Sequence, residues 1–424
     1  MAKILLVWEM GGGLGHISRL NVLAKLLVEK QHIVTIVLPE NTLADVYSTS
    51  NCHYVMAPNT QHEHIQLSRS PVSYTEILLA TYYHNTDELT RLIAAWKKIF
   101  IQEDADLIIY DAAPTALLAS RELKAKKINL GTAFFIPPNQ YPLPAFSTAK
   151  VVTQRTLKKS DDLLLHNINQ ALGANQLTSI EKYKSVFTVD LNLITSLPEL
   201  DPYATYRPRQ QKQCEPENSE KSIRKFKYIE QFLTHYDGDK TPLDWSNFST
   251  KKNIYAYLKY DYPQLKNFLS VFITKSIEAR IYISGLPQKK SENDYIFDLS
   301  FPKDIIISTA PYELNDELDK ADLIICHGGS LINLALLKGV PIMAIPLQQE
   351  QFTVTQKCID HGLGLGLNPH EQQTDKISTT LDELLTNSKY KVNAQKLKNT
   401  YSCARMNSPT SKALFEIEEL LSID

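Results

Sequence analysis

The chain is poor in cysteine and glycine, has no excess of charge of either sign, and lacks a long apolar run. Its five cysteines, Cys52, Cys214, Cys326, Cys358 and Cys403, are odd in number, widely spaced and include no C-x-x-C pair. That excludes a disulfide framework and a thiolate zinc site, and it fits a reducing cytoplasm. A formal charge of −2 with 22% charged residues leaves no electrostatic footprint for nucleic acid and no acidic solvating tail. The first apolar run, Ile4 to Trp8, stops at Glu9 and is too short for a signal-peptide core. The longest, Leu323 to Leu347, is broken by His327, Asn333, Lys338 and Pro341, and so reads as strand, helix, strand. No transmembrane segment is expected, while peripheral contact with a membrane stays open.

Glycine is the most informative shortage. There are 14 in 424 residues, about half the usual ~7%. Four are Gly11, Gly12, Gly13 and Gly15, and six more fall between Gly328 and Gly366. Two short stretches thus concentrate the positions where backbone freedom or close approach to a ligand is needed. With 43% apolar residues the chain is large enough for two or three domains with cores of their own, which excludes disorder as its main state.

Lys3 to Trp8 is apolar and of strand length, Leu20, Leu23, Ala24 and Leu27 follow helical spacing, and Ile33 to Leu38 is a second strand. The βαβ pattern returns with Asp106 to Tyr110, a helix over Ala112 to Lys126, and Ile128 to Gly131. From Asp201 to Lys252 the periodicity fades into a polar stretch read as a linker with an insertion. A second series follows: strands at Asn253 to Leu258, Arg280 to Ser284, Asp304 to Thr309, Asp322 to Cys326 and Pro341 to Ile345, and a tail helix over Pro409 to Leu421. This is an α/β chain of two Rossmann-like, doubly wound parallel-sheet domains, each with its own glycine cluster, with a cleft between them.

The first cluster follows the first strand and opens the first helix, where ligands bind in open parallel sheets. Gly13-x-Gly15-x-x-Ser18 with Glu40 imitates a dinucleotide fingerprint whose third glycine is missing. In the competing reading the turn holds His16 at the rim as a general base for a hydroxyl. Asp111, at the end of a strand on the same rim, could orient that imidazole, or could cap the helix that follows. In the second cluster, His327-Gly328-Gly329-Ser330 opens a helix whose N–H groups and dipole suit a diphosphate, with His327 and Ser330 as added donors.

His327-Gly328-Gly329, then Gly339-Val340-Pro341, then Pro346 with Glu350-Gln351 resembles the donor-binding signature of glycosyltransferase family 1 and its relatives on the GT-B fold. The Gly15-His16 turn and Asp111 resemble that family's acceptor domain. Trp8 to His16, Ala113 to Ala119 and Gly131 to Pro138 are similar to poorly characterised bacterial members. The resemblance covers roughly residues 1 to 200 and 250 to 365. It implies an acceptor domain over 1–204, a linker over 205–250 and a donor domain over 251–424, with the final helix able to cross back. It implies His16 as catalytic base and Asp111 as its partner, His327, Gly328, Gly329 and Ser330 on the donor diphosphate, and Glu350 and Gln351 on the sugar hydroxyls. The co-substrate would be a nucleotide-diphosphate sugar of UDP or dTDP type, with no cofactor and no metal. One departure stands out: where the family has a Ser or Thr and a ribose-binding Glu, this chain has Ile332 and Ala335. Asn333 is the nearest polar substitute.

Weaker signals have plainer readings. Asp104-Ala105-Asp106 and Asp237-Gly238-Asp239 spell D-x-D but read as solvated turns, and His62-Glu63-His64 lacks a third ligand. Cys326 reads as a buried core thiol. The proline-stiffened loop from Gly131 to Phe146 offers Phe134 and Phe135, alongside Gly13 and Gly15, to an acceptor, or else packs on its own domain. Arg121, Lys124, Lys126 and Lys127 form a basic helix face. The expectation is an inverting, metal-independent glycosyltransferase moving a hexose-type sugar to a hydroxyl of a lipid, glycan or small aglycone. A nucleotide-sugar epimerase on the same fold, a non-catalytic sugar-nucleotide binding protein and a nicotinamide oxidoreductase are the alternatives.

Overall fold

A computed structural model describes residues 1–11, 15–39, 51–60, 65, 67, 69–146, 152–207, 226–229, 240–245, 251–287, 296, 299–314, 316–402 and 408–423. The chain divides into two compact units, Met1–His235 with Asn407–Asp424, and Tyr236–Met406. In chain order the first unit contains β1 (Lys3–Trp8), α1 (Gly15–Glu29), β2 (Ile33–Leu38), β3 (Cys52–Met56), α2 (Tyr74–Ala80), α3 (Thr86–Glu103), β4 (Leu107–Asp111), α4 (Pro114–Ser120), β5 (Lys126–Gly131), α5 (Gln154–Ala174), β6 (Leu191–Ile194) and β7 (Phe226–Tyr228). The second contains β8 (Thr241–Pro242), β9 (Lys252–Lys259), α6 (Leu265–Thr274), β10 (Ile277–Ser284), β11 (Ile305–Ser308), β12 (Tyr312–Glu313), β13 (Leu323–Cys326), α7 (Ser330–Leu337), β14 (Ile342–Ala344), α8 (Gln349–Asp360), β15 (Gly364–Gly366), α9 (Thr374–Thr386) and α10 (Lys389–Ser402). The last helix, α11 (Pro409–Leu421), returns to the first unit.

Both main sheets are wholly parallel among their described strands. The first runs β3-β2-β1-β4-β5-β6-β7 and the second β11-β10-β9-β13-β14-β15. Each sheet reverses its direction of growth once, between β1 and β4 in the first and between β9 and β13 in the second. The carboxyl ends of those strand pairs are the switch points where open α/β sheets bind ligands. Helices cover both faces, so the central strands are apolar without alternation: Ile4 to Trp8 is buried throughout, as is Leu107 to Asp111.

The first core packs Leu5, Val7, Ile108 and Tyr110 against Leu92, Ile93 and Trp96 of α3. The second packs Ala256, Leu258, Ile281 and Ile283 against Phe268 and Phe272 of α6. Caps set the helix ends: Asn85 accepts from the N–H groups of Asp87 and Glu88 to start α3, and Asp104, at φ 45°, ends it. That cap, with the acceptance of the Lys3 N–H by Asp106 at 2.8 Å, accounts for the first D-x-D sequence without a metal. The second D-x-D and His62 to His64 lie outside the described residues.

Several expectations are corrected. The helix expected over Ala112 to Lys126 ends at Ser120, because the chain must turn in time for Lys126 to pair with Leu107. Arg121, Lys124, Lys126 and Lys127 therefore share no helix face: Arg121 donates to Thr178 O, and Lys126 and Lys127 open β5. The expected linker, 205–250, contains β7, which adds a seventh strand to the first sheet. Gly364 and Gly366, of the second glycine cluster, form the edge strand β15. The tail helix, α11, is anchored to the first unit by Glu418 on His32 at 2.8 Å and by Glu416 on Lys227 at 2.5 Å.

Candidate active site

The register places Trp8 directly beside Asp111 at the switch point of the first sheet. The turns beyond them are tied together, since Met10 N–H donates to Ala112 O at 2.9 Å and the Trp8 indole donates to Met10 O at 2.7 Å. Ala112 sits at φ 48°, a left-handed conformation costing a non-glycine residue about 1–2 kcal/mol. Strain of this kind persists where surrounding contacts over-determine it. Here it turns the chain sharply after Asp111 and leaves the carboxylate aimed at α1.

His16 is the second residue of α1. Its Nδ1 lies 2.9 Å from Asp111 Oδ1, and its ring stacks on Trp8 at 5.1 Å and meets the edge of Phe135 at 5.5 Å. Facing a carboxylate, Nδ1 is the nitrogen that donates to Oδ1, which leaves Nε2 on the side of Gly11. A Cβ built on Gly11 would stand 2.7 Å from Nε2, so the exposed Gly11 backbone lies directly over the basic nitrogen. Gly11, at φ 94°, is the glycine this turn requires. At Gly15 a Cβ would meet nothing, so that position opens α1 without demanding glycine, and Gly13 lies outside the described residues.

Asp111 is fully buried. Burial alone would push its carboxyl up, but the Arg19 guanidinium and His16 outweigh that and hold it below the usual carboxylate range. Arg19 donates from Nε at 2.9 Å and from Nη2 at 2.7 Å, both to Oδ2. Asp111 thus bonds two side chains of α1 and does not cap α4. The start of α4 is served instead by Glu9, whose Oε2 accepts from Thr115 N–H at 2.9 Å and Ala116 N–H at 3.3 Å, while Tyr82 donates to Oε1 at 2.5 Å. Arg19, Glu9 and Trp8 were not singled out in the sequence. The signal for Arg19 was its i+3 spacing from His16, which puts both on one helix face.

The aromatic loop after β5 divides in two. Phe134 is 3% exposed and stacks on Phe146 at 5.1 Å, so it is core and not an acceptor contact. Phe135 remains half-buried against His16.

At the switch point of the second sheet the turn is built on Gly328 and Gly329, at φ 136° and 73°. A Cβ on Gly328 would stand 2.8 Å from Gln351 Cγ, so only glycine lets α8 approach. Gln351 Oε1 accepts from Leu347 and Gln348 N–H groups and closes a capping box on α8. Its amide nitrogen remains as a donor beside the turn, with Glu350 half-buried in the same helical turn. Gly329 is exposed and caps α7, whose first N–H groups have no partner within the helix.

His327 departs from its expected part. It is 2% exposed, its Nε2 accepts Lys259 N–H at 3.1 Å, and its Nδ1–H donates to Ile345 O at 3.0 Å. Burial pushes the imidazole down to about 4, with Lys259 adding to the effect, so it is neutral. Both nitrogens bind backbone, and the ring ties β9, β13 and β14 together without offering a donor to phosphate. A cation at this rim is Lys259, at the end of β9, a residue the sequence reading passed over. Cys326 is fully buried and its thiol is pushed up to about 12, which removes it as a nucleophile. Asn333 is buried on α7.

Among the described residues no three His, Cys, Asp or Glu side chains gather as a metal site, and no helix is long and apolar enough to cross a membrane. A cavity of about 710 Å³ in the first unit, lined by Ala2, His32, Asp106, Lys126 and Glu418, lies at the amino ends of the strands, away from His16.

Residues 300–416 match the family model described as erythromycin biosynthesis protein CIII-like, C-terminal domain. No curated protein matches the chain by sequence. Among solved structures, CalG4, the calicheamicin glycosyltransferase, matches with a TM-score of 0.69 at 16% identity, covering 100% of this chain and 98% of that one. The glycosyltransferase VinC in complex with dTDP matches at 0.65 and 15%, covering 99% and 100%. The spinosyn rhamnosyltransferase SpnG, complexed with spinosyn aglycone, matches at 0.59 and 15%, covering 99% and 100%. The fold is GT-B, and the resemblance to glycosyltransferases read from the glycine turns is borne out.

Proposed function

We propose, from the GT-B fold and the EryCIII-like match over residues 300–416, that this protein is an inverting glycosyltransferase using a nucleoside-diphosphate sugar and a hydroxyl acceptor. The observation that carries the reading is the buried His16–Asp111 pair at the switch point of the first sheet. His16 Nε2 takes the proton of the acceptor hydroxyl as its oxygen bonds to the anomeric carbon. The bond from that carbon to the diphosphate oxygen breaks, and the nucleoside diphosphate leaves with the electron pair. Asp111 stabilises the imidazolium formed. Attack from the side opposite the leaving group inverts the centre, and no covalent enzyme intermediate is needed.

The second unit supplies the donor site: N–H groups at the start of α7, Lys259 as counter-charge, and Gln351 with Glu350 toward the sugar hydroxyls. We further propose that the carrier is a thymidine diphosphate and the sugar of hexose type. Position 335 is a buried alanine where a ribose-binding carboxylate is expected, which suits a deoxyribose with one hydroxyl fewer. VinC and SpnG have each been solved with thymidine diphosphate. Phe135 and Trp8 around the base favour an acceptor hydroxyl carried on an apolar scaffold.

The test pairs a thermal-shift screen with turnover. dTDP is expected to raise Tm more than UDP at equal concentration. His16→Ala should retain that shift and lose turnover by ~10²–10⁴-fold. Undiminished turnover in His16→Ala overturns the base. Release of nucleotide from donor without any acceptor would instead favour an epimerase, and donor binding without turnover on any acceptor would favour a binding protein.

A further inference from the structure

Arg19 has no part in the chemistry above, yet it is committed to the same carboxylate as the base. It lies one turn beyond His16 on α1, and its side chain is 3% exposed. Two of its nitrogens converge on Asp111 Oδ2, at 2.9 and 2.7 Å, while Oδ1 is left to His16 Nδ1 at 2.9 Å. Its Nη2 also approaches Nδ1 to 3.5 Å. The buried unit is therefore a cation, an anion and an imidazole, and not a two-membered pair.

A carboxylate and an imidazole buried together without further charge can lose their charge imbalance in two ways that do not suit a base. The carboxyl can keep its proton, which forfeits orientation, or the imidazole can hold a proton as the counter-ion, which leaves Nε2 nothing with which to accept. A permanent guanidinium on the second oxygen removes both. It keeps the carboxylate ionised, and by answering its charge it lessens the attraction that would hold the imidazolium. The fork also fixes which oxygen faces His16, and so the tilt of the ring against Trp8.

We propose that Arg19 is a positioning residue that shares the charge of Asp111 with His16, so that the imidazole is oriented before the acceptor arrives. The inference rests on the reading of His16 as general base. Among the described residues, the other groups facing the ring leave this role to Arg19. Trp8 and Phe135 are apolar, Gly11 offers only backbone, and the next acid, Glu9 just past β1, is held by Thr115, Ala116 and Tyr82.

The experiment follows the His16 imidazole by NMR in ¹⁵N-histidine-labelled full-length protein, the signal assigned by its loss in His16→Gln. Removing a cation near an imidazole favours the protonated form. In Arg19→Met the pH of half-protonation should therefore rise by about one unit relative to wild type. Arg19→Lys, which keeps the charge, should stay near wild type. Arg19→Gln keeps donors without charge, carries the same expected shift as Met, and serves where Met does not fold. With an acceptor in hand, the acidic limb of the pH–rate profile should move upward in step while the KM for donor is unchanged. An unmoved titration in Met and Gln, or a Lys variant that shifts as far as they do, overturns the proposal. So does failure of both neutral variants to fold where His16→Gln folds. Full turnover in His16→Ala overturns the base reading instead, whatever the Arg19 variants show.

Discussion

The Asp111 carboxylate bonds His16 through one oxygen, at 2.9 Å, and Arg19 through the other, at 2.7 Å and 2.9 Å, although it lies 95 positions from His16 along the chain. Its environment fixes how it responds to substitution and to acid.

Asp111→Asn should lower kcat by ~10²–10⁴-fold through loss of ring orientation and tautomer. It also leaves Arg19 buried and unpaired, a loss of about 3–5 kcal/mol in urea denaturation at neutral pH. The native carboxyl is held below its ordinary value. Its contribution is therefore fully present above the unfolded value of ~3.9 and is lost as pH falls below it. The stability gap between wild type and variant should narrow below about pH 4; a gap constant across acid denaturation curves contradicts the assignment.

Gly11→Ala places a methyl 2.7 Å from His16 Nε2 on a backbone at φ 94°. Displacement of the base should cost turnover ~10-fold or more, while the Tm shift given by nucleoside diphosphate stays at its wild-type size. A variant with reduced diphosphate response and normal turnover would place the role of this glycine elsewhere.

His327 is held neutral in the fold, with the imidazole pushed down to about 4. Because the unfolded chain takes up its proton first, at ~6.5, this burial stabilises the fold fully above that pH. The contribution is lost as pH falls toward the folded value. Denaturation of wild type at pH 7 and at about pH 4 should show a loss on the order of 3 kcal/mol that is absent from His327→Gln. An identical pH response in the two proteins removes the buried neutral imidazole as its cause.

Glu9 behaves in the opposite sense. Burial raises its carboxyl, although hydrogen bonds from Thr115, Tyr82 and Ala116 work against the shift. An acid raised by folding costs stability as pH rises above its unfolded value. Glu9→Gln, which keeps an oxygen for the start of α4, should equal or exceed wild type at pH 7. Glu9→Ala should lose about 1–2 kcal/mol as the helix start goes uncapped. Loss of equal size in both variants would show that the charge itself is required.

Lys259 is a cation at the rim of the Gly328–Gly329 turn. Lys259→Met should weaken binding of nucleoside diphosphate about tenfold in calorimetry and leave binding of the nucleoside alone unchanged, as expected for a contact worth roughly 1.4 kcal/mol to phosphate. Equal loss for both ligands would mean that the turn itself had been disturbed.

The sequence by itself determined the α/β class, the two parallel sheets, the two glycine turns and His16 at the head of α1. Each of these is written locally, in apolar runs of strand length, in helical spacing and in residues that alone tolerate a left-handed backbone. Only the tertiary structure decided what those residues touch. The strand order brings β4 beside β1 and so Asp111 to His16. The same helix face delivers Arg19 to the second carboxylate oxygen. Three strands meeting at one rim consume both nitrogens of His327, and the packing of Tyr74 and Phe146 sinks Phe134 while leaving Phe135 at His16. Partners separated by scores of residues are selected by packing and by the need to satisfy every buried charge, and neither is encoded in the spacing of residues along the chain.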